Sequence, residues 1–99
     1  LNTSKIRVNV NKDEKFNITL MNYNNSSCFS KNKLSSGVKI KNINKNSILY
    51  KNGLRKNTVI LYVNNIPCIN HYQCVNILNS ISFLGGELII DIKKPFLRY

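Results

Sequence analysis

The sequence contains no alanine and only four acidic residues. Asparagine, lysine and isoleucine are abundant instead, and the codons of all three are AT-rich. We attribute this bias to an AT-rich genome, so composition alone says little about function. The four acidic residues lie near the two ends of the chain, away from its single histidine. Because a catalytic Cys–His pair needs a third group to orient the base, this distribution argues against an enzyme.

Long apolar runs are also absent. No stretch approaches the ~20 apolar residues that a membrane-spanning helix requires. The three cysteines, Cys28, Cys68 and Cys74, are odd in number and form no dense framework. Without a signal-like run, they favour a reducing compartment, either cytoplasmic or membrane-peripheral. With 99 residues the chain can bury one modest core but not two. It does not begin with methionine, so we expect a fragment of a longer protein.

The positive charge is large, with 15 basic residues and a formal net charge of +11. Such a charge is typical of proteins that bind nucleic acid or an anionic lipid surface. The lysines are scattered along the sequence rather than gathered in one run, which favours a solvated basic surface. Binding to anionic lipid therefore stays an alternative, and no specific nucleic acid is expected.

Alternation of apolar and polar residues predicts most of the secondary structure. "LNTSKIRVNVNKDE" is polar and lacks turn or cap signals, so residues 1–14 are assigned to a flanking linker. "KFNITL" predicts a first strand, and "GVKIKNI", "TVILYVNN" and "LGGELIIDIKK" predict three more. "NSILYKNGL" predicts a short helix closed by Gly53. Asn70, with Gln73 three residues later, predicts a capping box at the start of a longer helix. This order indicates a small mixed fold around an antiparallel sheet.

The central run "NSILYKNGLRKNTVILYVNN" resembles the PDZ family, where Gly-Ser-Pro-Ala precedes Gly-Leu, Gly-Asp and Ile-Leu-x-Val-Asn-Gly. The residues in register are Ser47, Gly53, Leu54, Ile60, Leu61, Val63 and Asn64. Asn65 replaces the last glycine, and asparagine tolerates positive φ better than most residues. The resemblance covers residues 15–94 and leaves residues 95–99 as a C-terminal tail. It implies a mostly β fold with two helices: a small antiparallel β-sandwich or partly open barrel of five to six strands, flanked by one short and one longer helix.

In that family an extended peptide, usually a C-terminus, adds as a strand in the groove between the second strand and the second helix. A loop typified by Gly-Leu-Gly-Phe receives the terminal carboxylate on backbone amides. Counting from the first predicted strand, the resemblance places this loop at residues 26–29, so Ser27, Cys28 and Phe29 are expected to contact the peptide. Only Phe29 matches, and the lost glycines make the loop degenerate, since glycine lets successive amides point at one anion. Lys31 takes the next apolar position, either after a bulge or with its stem lining the pocket.

The histidine carries most of the functional prediction. His71 falls on the first residue of the second helix and shares a stripe with Val75 and Leu78 at i, i+4 and i+7. Because a neutral imidazole offers one nitrogen as an acceptor, the resemblance to serine/threonine-preferring members implies a contact with a ligand hydroxyl two residues before the terminus. Val75 and Leu78 are expected to surround the terminal side chain. A surface histidine without a role is the alternative.

A metal site is a weaker interpretation of the same region. The spacing Cys68-x2-His71-x2-Cys74 brings together residue types that bind zinc. His71 and Cys74 lie on diverging faces of the predicted helix, and a cysteine facing the core behaves as a small hydrophobe. We therefore expect neither a metal nor a cofactor.

These patterns together predict a monomeric, non-enzymatic module that binds a C-terminal or internal peptide segment of a protein partner by strand addition. Lys31 and Lys33 on the edge strand, with Lys39 and Lys41 on the next, predict faster association of acidic peptides. A regulatory PDZ module of a larger enzyme, such as a serine protease, is the alternative, because such modules share the "SILYKNGLRKNTVIL" spacing. A strand before the carboxylate loop favours the element order of scaffold-type domains instead.

Overall fold

The computed structural model describes residues 3–23 and 37–93. Their secondary structure consists of six strands and two helices. In chain order these are β1 (Thr3–Val10), β2 (Ile18–Tyr23), β3 (Gly37–Ile43), α1 (Ile48–Lys51), β4 (Val59–Val63), β5 (Ile66–Pro67), α2 (His71–Leu84) and β6 (Gly86–Lys93). None of the helices in these ranges is long and apolar enough to cross a membrane.

All six strands belong to one antiparallel sheet. Its order is β1-β6-β4-β3-β2, and β5 pairs with β4 as a short hairpin. Buried side chains from β1, β2, β3, β4, β6 and both helices form one apolar cluster. Since one cluster takes residues from both ends of the sheet order, the sheet curves around it. The predicted class, mostly β with one short and one longer helix, is therefore confirmed.

The linker expected at residues 1–14 is wrong for residues 3–10. Every residue of β1 pairs with β6, from Thr3 opposite Lys93 to Val10 opposite Gly86. Val8 and Val10 are buried, while the arginine and asparagines around them are exposed. The segment thus has the period-two pattern of a half-buried strand, and its interleaved polar residues face solvent. The predicted tail at residues 95–99 lies outside the described residues.

Asparagine takes the place of glycine at several turns. Asn64 and Asn65 have φ of 49° and 66° and connect β4 to β5 in a two-residue turn. Asn57, before β4, has φ of 74°. Asparagine is among the few L-residues that occupy this left-handed region readily. The prediction that Asn65 can replace a turn glycine is confirmed.

Helix α2 begins where the capping pattern predicts. The Asn70 side chain accepts a hydrogen bond from the Gln73 amide at 2.9 Å. Gln73 reaches back one residue further than a standard capping box, because its Oε1 accepts from the Ile69 amide at 2.7 Å. Its Nε2 donates to the Pro67 carbonyl at 2.9 Å. The first turn of α2 is therefore tied firmly to the end of β5.

The inner face of α2 packs on the sheet through Cys74 and Leu78, both buried. Cys74 meets Cys68, which is also buried, and their Sγ atoms lie 3.6 Å apart. At the other end of the helix, Gly85 has φ of 75°, and a Cβ there would lie 3.1 Å from the Lys12 amide nitrogen. The segment between β1 and β2 thus runs directly against the end of α2.

Candidate functional site

Strand β2 has an open edge that faces α2. Within the described residues it pairs with β3 alone. Leu20 of β2 lies opposite Ile40, whose amide donates to the Thr58 carbonyl and whose carbonyl accepts from the Asn57 amide. The amide and the carbonyl of Ile40 thus form their hydrogen bonds on the side of β3 that faces away from β2. In an antiparallel pair this means that Leu20 directs its own amide and carbonyl away from β3, to the open edge.

Ile18 has the same orientation as Leu20. The amide of Asn44 donates to the carbonyl of Asn17 at 3.1 Å. That bond flanks the opposed residues Ile18 and Ile43, which marks them as a pair that does not exchange hydrogen bonds. The backbone groups of Ile18 and Leu20 therefore offer two donors and two acceptors to an added strand.

The loop that leads into β2, residues 11–17, is anchored to the last turns of α2. The amide of Asp13 donates to the Ser82 carbonyl at 2.6 Å, and the Ser82 hydroxyl donates to the Glu14 carbonyl. The next three amides, of Lys15, Phe16 and Asn17, have no acceptor among the described residues. Successive unpaired amides on a fixed loop form a concave site for an anion.

The residues that carry these amides border an open cleft of about 300 Å³ between the loop and α2. Its lining residues are Glu14, Lys15, Phe16, Asn17, Ile18, Val75, Leu78, Asn79 and Ser82. The lining therefore combines the loop residues whose amides are unpaired with apolar residues of β2 and α2. That combination suits a group with a carboxylate beside an apolar side chain.

The structure places one more strand before "KFNITL" than the sequence predicted. The predicted contacts Ser27, Cys28, Phe29 and Lys31 lie outside the described residues, in the segment that follows β2. "KFNITL" was expected to supply the first strand, but β1 precedes it, and it contributes to the second. The loop between the first and second strands of the structure is residues 11–17, and it leads into β2. The prediction that residues 26–29 form a carboxylate-binding loop therefore lies outside the described residues.

The loop of residues 11–17 was not predicted as part of the candidate site, although its sequence contains a signal. "KFNI" fits the family's Gly-Leu-Gly-Phe when Phe16 takes the leucine position, Asn17 the second glycine and Ile18 the phenylalanine. Phe16 is buried, as an anchoring leucine would be. Asn17 has φ of 51°, the left-handed conformation that glycine provides most easily. Because asparagine stands where the family has glycine, the match was not recognised from the sequence.

The three residues predicted on α2 lie along its side toward β2 but differ in exposure. Leu78 is 2% exposed and belongs to the core as well as to the cleft floor. Val75 is 36% exposed and forms the rim of the cleft. His71 opens the helix, one turn before Val75, and contacts Asn22 of β2. The structure thus brings Val75 and Leu78 together at the cleft and places His71 further along the same side.

The charges divide the molecule into two sides. All four acidic residues lie on β6 or on the loop between β1 and β2, where ion pairs join Lys5 to Asp91 and Arg7 to Glu87. The part of the chain from β3 to the start of β4 carries six basic residues and no acidic one. These residues are Lys39, Lys41, Lys45, Lys51, Arg55 and Lys56. Lys39 lies opposite Met21 of β2, so this basic side adjoins the open strand.

The cysteine pair beneath α2 has perturbed thiols. The hydrogen bond with Cys68 and burial both raise the pKa of the Cys74 thiol above its ordinary value of 9.0. His71 lies outside this pair, since its ring contacts Asn22. In the described ranges, no group of three or more histidine, cysteine or acidic side chains is arranged to hold a metal ion.

Comparison with known proteins adds information on the fold. No protein-family model matches the sequence, and no curated protein matches it significantly. The PDZ1 domain of dmPar3, solved in complex with the dmPar6 PBM, has a TM-score of 0.68 at 13% identity and covers 95% of this chain and 97% of its own. The INAD PDZ3 domain, solved in complex with the TRP channel tail, gives 0.70 at 14%, with coverages of 95% and 88%. The PDZ domain of choanoflagellate GIPC gives 0.72 at 15%, with coverages of 98% and 95%. The chain therefore adopts the PDZ fold.

Proposed function

We propose that this chain is a peptide-binding module that takes extended C-terminal segments as an additional strand on β2. The observation that carries the proposal is the open edge of β2, where Ile18 and Leu20 direct their backbone groups toward the groove beside α2. An added strand satisfies these groups with main-chain hydrogen bonds, which give affinity without depending on sequence. Two of the similar PDZ structures described above were solved with a partner segment, the dmPar6 PBM and the TRP channel tail.

The ligand's terminus fits the cleft at the start of β2. Its carboxylate would accept hydrogen bonds from the unpaired amides of the loop, and charge-assisted bonds of this kind are among the stronger ones in proteins. Its last side chain would enter the space floored by Leu78 and bordered by Val75. Because both are aliphatic, we expect an apolar terminal residue.

The spacing along α2 supports a role for His71 two residues before the terminus. Four residues of helix rise about 6 Å, and two residues of strand rise about 6.6 Å. A ligand whose terminal side chain lies beside Val75 therefore brings the residue two positions earlier beside His71. A hydroxyl there can donate to the imidazole, which supports a preference for serine or threonine.

The basic side of the molecule supports a further preference for acidic ligands. In a strand added to β2, every second side chain would point to the outer face of the sheet. On that face these ligand side chains would lie beside Met21 of β2 and, one strand further, near Lys39 and Lys41 of β3. Complementary charge raises association rates more than it raises final affinity. We therefore expect acidic residues upstream of the ligand's terminus to accelerate binding.

The proposal is tested with a library of C-terminal peptides. Peptides that end in an apolar residue with serine or threonine two positions earlier should be enriched. Amidation of the terminus should weaken binding by about tenfold or more, since each lost charge-assisted hydrogen bond costs ~1.5–3 kcal/mol. His71→Ala should remove the preference for threonine over valine at that earlier position. If no library member binds above background, or if amidated peptides bind equally well, the proposed mode is wrong.

A further inference from the structure

Asn22 joins the two walls of the groove. Its Oδ1 atom lies 2.7 Å from the backbone amide nitrogen of His71 and 2.9 Å from the ring atom Nδ1 of the same residue. One oxygen of β2 thus holds both the first amide of α2 and the imidazole. The ring of Tyr72 also lies against the imidazole, with its centroid 4.1 Å from that of His71.

The two contacts together determine which ring nitrogen carries the proton. A backbone amide can only donate, so the atom of Asn22 that it meets must be the acceptor oxygen and not the amide nitrogen. The same oxygen then requires a donor at the second contact, which places a hydrogen on Nδ1 of His71. A neutral imidazole carries only one such hydrogen, so Nε2 keeps its lone pair.

We propose that Asn22 is a specificity-determining positioning residue for the groove. By holding His71 in the Nδ1–H form, it leaves Nε2 as an acceptor that takes a ligand group able to donate. The inference rests on the proposed peptide-binding function and goes further: the position two residues before the terminus accepts a hydroxyl and rejects a carboxylate. A carboxylate only accepts hydrogen bonds and would oppose the Nε2 lone pair, although the chain's net charge of +11 attracts acidic groups elsewhere.

The free protein provides the first test. Because the chain has one histidine, long-range 1H–15N correlation spectra report the two ring nitrogens of His71 without ambiguity. We expect a protonated Nδ1 and an unprotonated Nε2 in the neutral ring. Asn22→Leu keeps a similar volume at this exposed position but cannot accept a hydrogen bond. It should return the ring to the Nε2–H form that an unrestrained histidine side chain favours.

Peptide titrations provide the second test. Three peptides differ only two residues before the terminus, where they carry threonine, valine or aspartate. The parent protein should bind them in that order. Asn22→Asp still accepts both hydrogen bonds, but its charge favours a doubly protonated ring, which has no acceptor left. In this variant the aspartate peptide should gain about tenfold relative to the threonine peptide, the effect of one hydrogen bond.

Two controls separate this effect from general electrostatics. Asn42→Asp adds the same charge at an exposed position on β3 and should leave the order of the three peptides unchanged. A fourth peptide carries its aspartate one residue further from the terminus and reports the attraction to the basic side alone.

Each of the two tests can refute a different part of the proposal. An Nε2–H ring in the parent protein, or an unchanged ring in Asn22→Leu, overturns the role of Asn22 whether or not any peptide binds. The expected ring form with equal binding of threonine and aspartate peptides overturns the selectivity alone and leaves strand addition in place.

Discussion

The substitution Asn17→Val tests whether backbone conformation in the loop of residues 11–17, which we propose binds the ligand's carboxylate, controls binding. Asn17 has φ of 51°, and a β-branched residue is strained there. Such strain costs about 1–3 kcal/mol in stability. Valine relieves it by moving φ to a negative value, which turns the neighbouring amides away from the cleft. Losing one charge-assisted hydrogen bond to the terminal carboxylate would then weaken peptide binding by about ten- to a hundredfold.

Asn65→Val is the matched control for this prediction. Asn65 has φ of 66° in the turn between β4 and β5, and it does not line the cleft. The same strain should lower stability by a similar amount, visible in urea unfolding or as a shift of about 4–8 °C in Tm per kcal/mol. Peptide affinity, measured calorimetrically where each variant is folded, should stay unchanged.

Replacing Asn17 by glycine completes the series. Glycine takes positive φ without strain but loses more entropy on folding, so stability should change by less than about 1 kcal/mol. Affinity should be kept. The reasoning is refuted if Asn17→Val binds the peptide as the parent does, or if Asn65→Val loses affinity to the same extent.

Three further predictions follow from the packing and the charges. Leu78→Ala should lower the free energy of unfolding by about 2–5 kcal/mol because it opens a cavity in the core. Val75→Ala, at the exposed rim, should leave stability nearly unchanged in urea unfolding but weaken peptide binding. The free energy of unfolding should fall by about 1.4 kcal/mol per pH unit above roughly pH 9. In that range the unfolded chain ionises both thiols, whereas the raised pKa of Cys74 keeps one proton in the folded pair. Cys74→Val should remove this slope, and an unchanged slope would contradict the assignment. Replacing Lys39 and Lys41 with glutamate should slow the association of acidic peptides and speed that of basic peptides in stopped-flow measurements at low salt. Equal association rates for acidic and basic peptides in the parent protein would disprove this electrostatic effect.

Local signals predicted the second half of the chain well. β3, β4 and β6 lie where alternation or a turn predicts them, and Asn70 caps α2 as expected. These features depend on residues close together in sequence: the two asparagines that form a turn, the backbone amide three residues after a helix cap, or the alternation of apolar and polar residues in a strand. Each can therefore be inferred without knowing what lies across the sheet.

The first half was misjudged because its structure depends on distant partners. β1 is a strand through its pairing with β6, which lies far along the chain: Arg7 and Glu87, which contact each other, are 80 residues apart. Without that partner, "KIRVNV" offers three apolar residues among basic and amide side chains. Because this strand was not predicted, "KFNITL" was taken as the first strand, although it contributes to the second strand of the structure. The contact between Asn22 and His71 spans 49 residues and has no local signal.

The pairing of β1 with β6 also determines how the domain responds to mechanical force. Thr3 and Lys93 lie opposite each other, so both connections to any flanking chain leave from the same end of the strand pair. Tension applied between them pulls the two strands apart like a zipper, one rung after another, instead of shearing all eight rungs together. The domain should therefore open at low force from this end. β2 lies at the opposite end of the sheet order, so a ligand strand there is not the first element to be loaded.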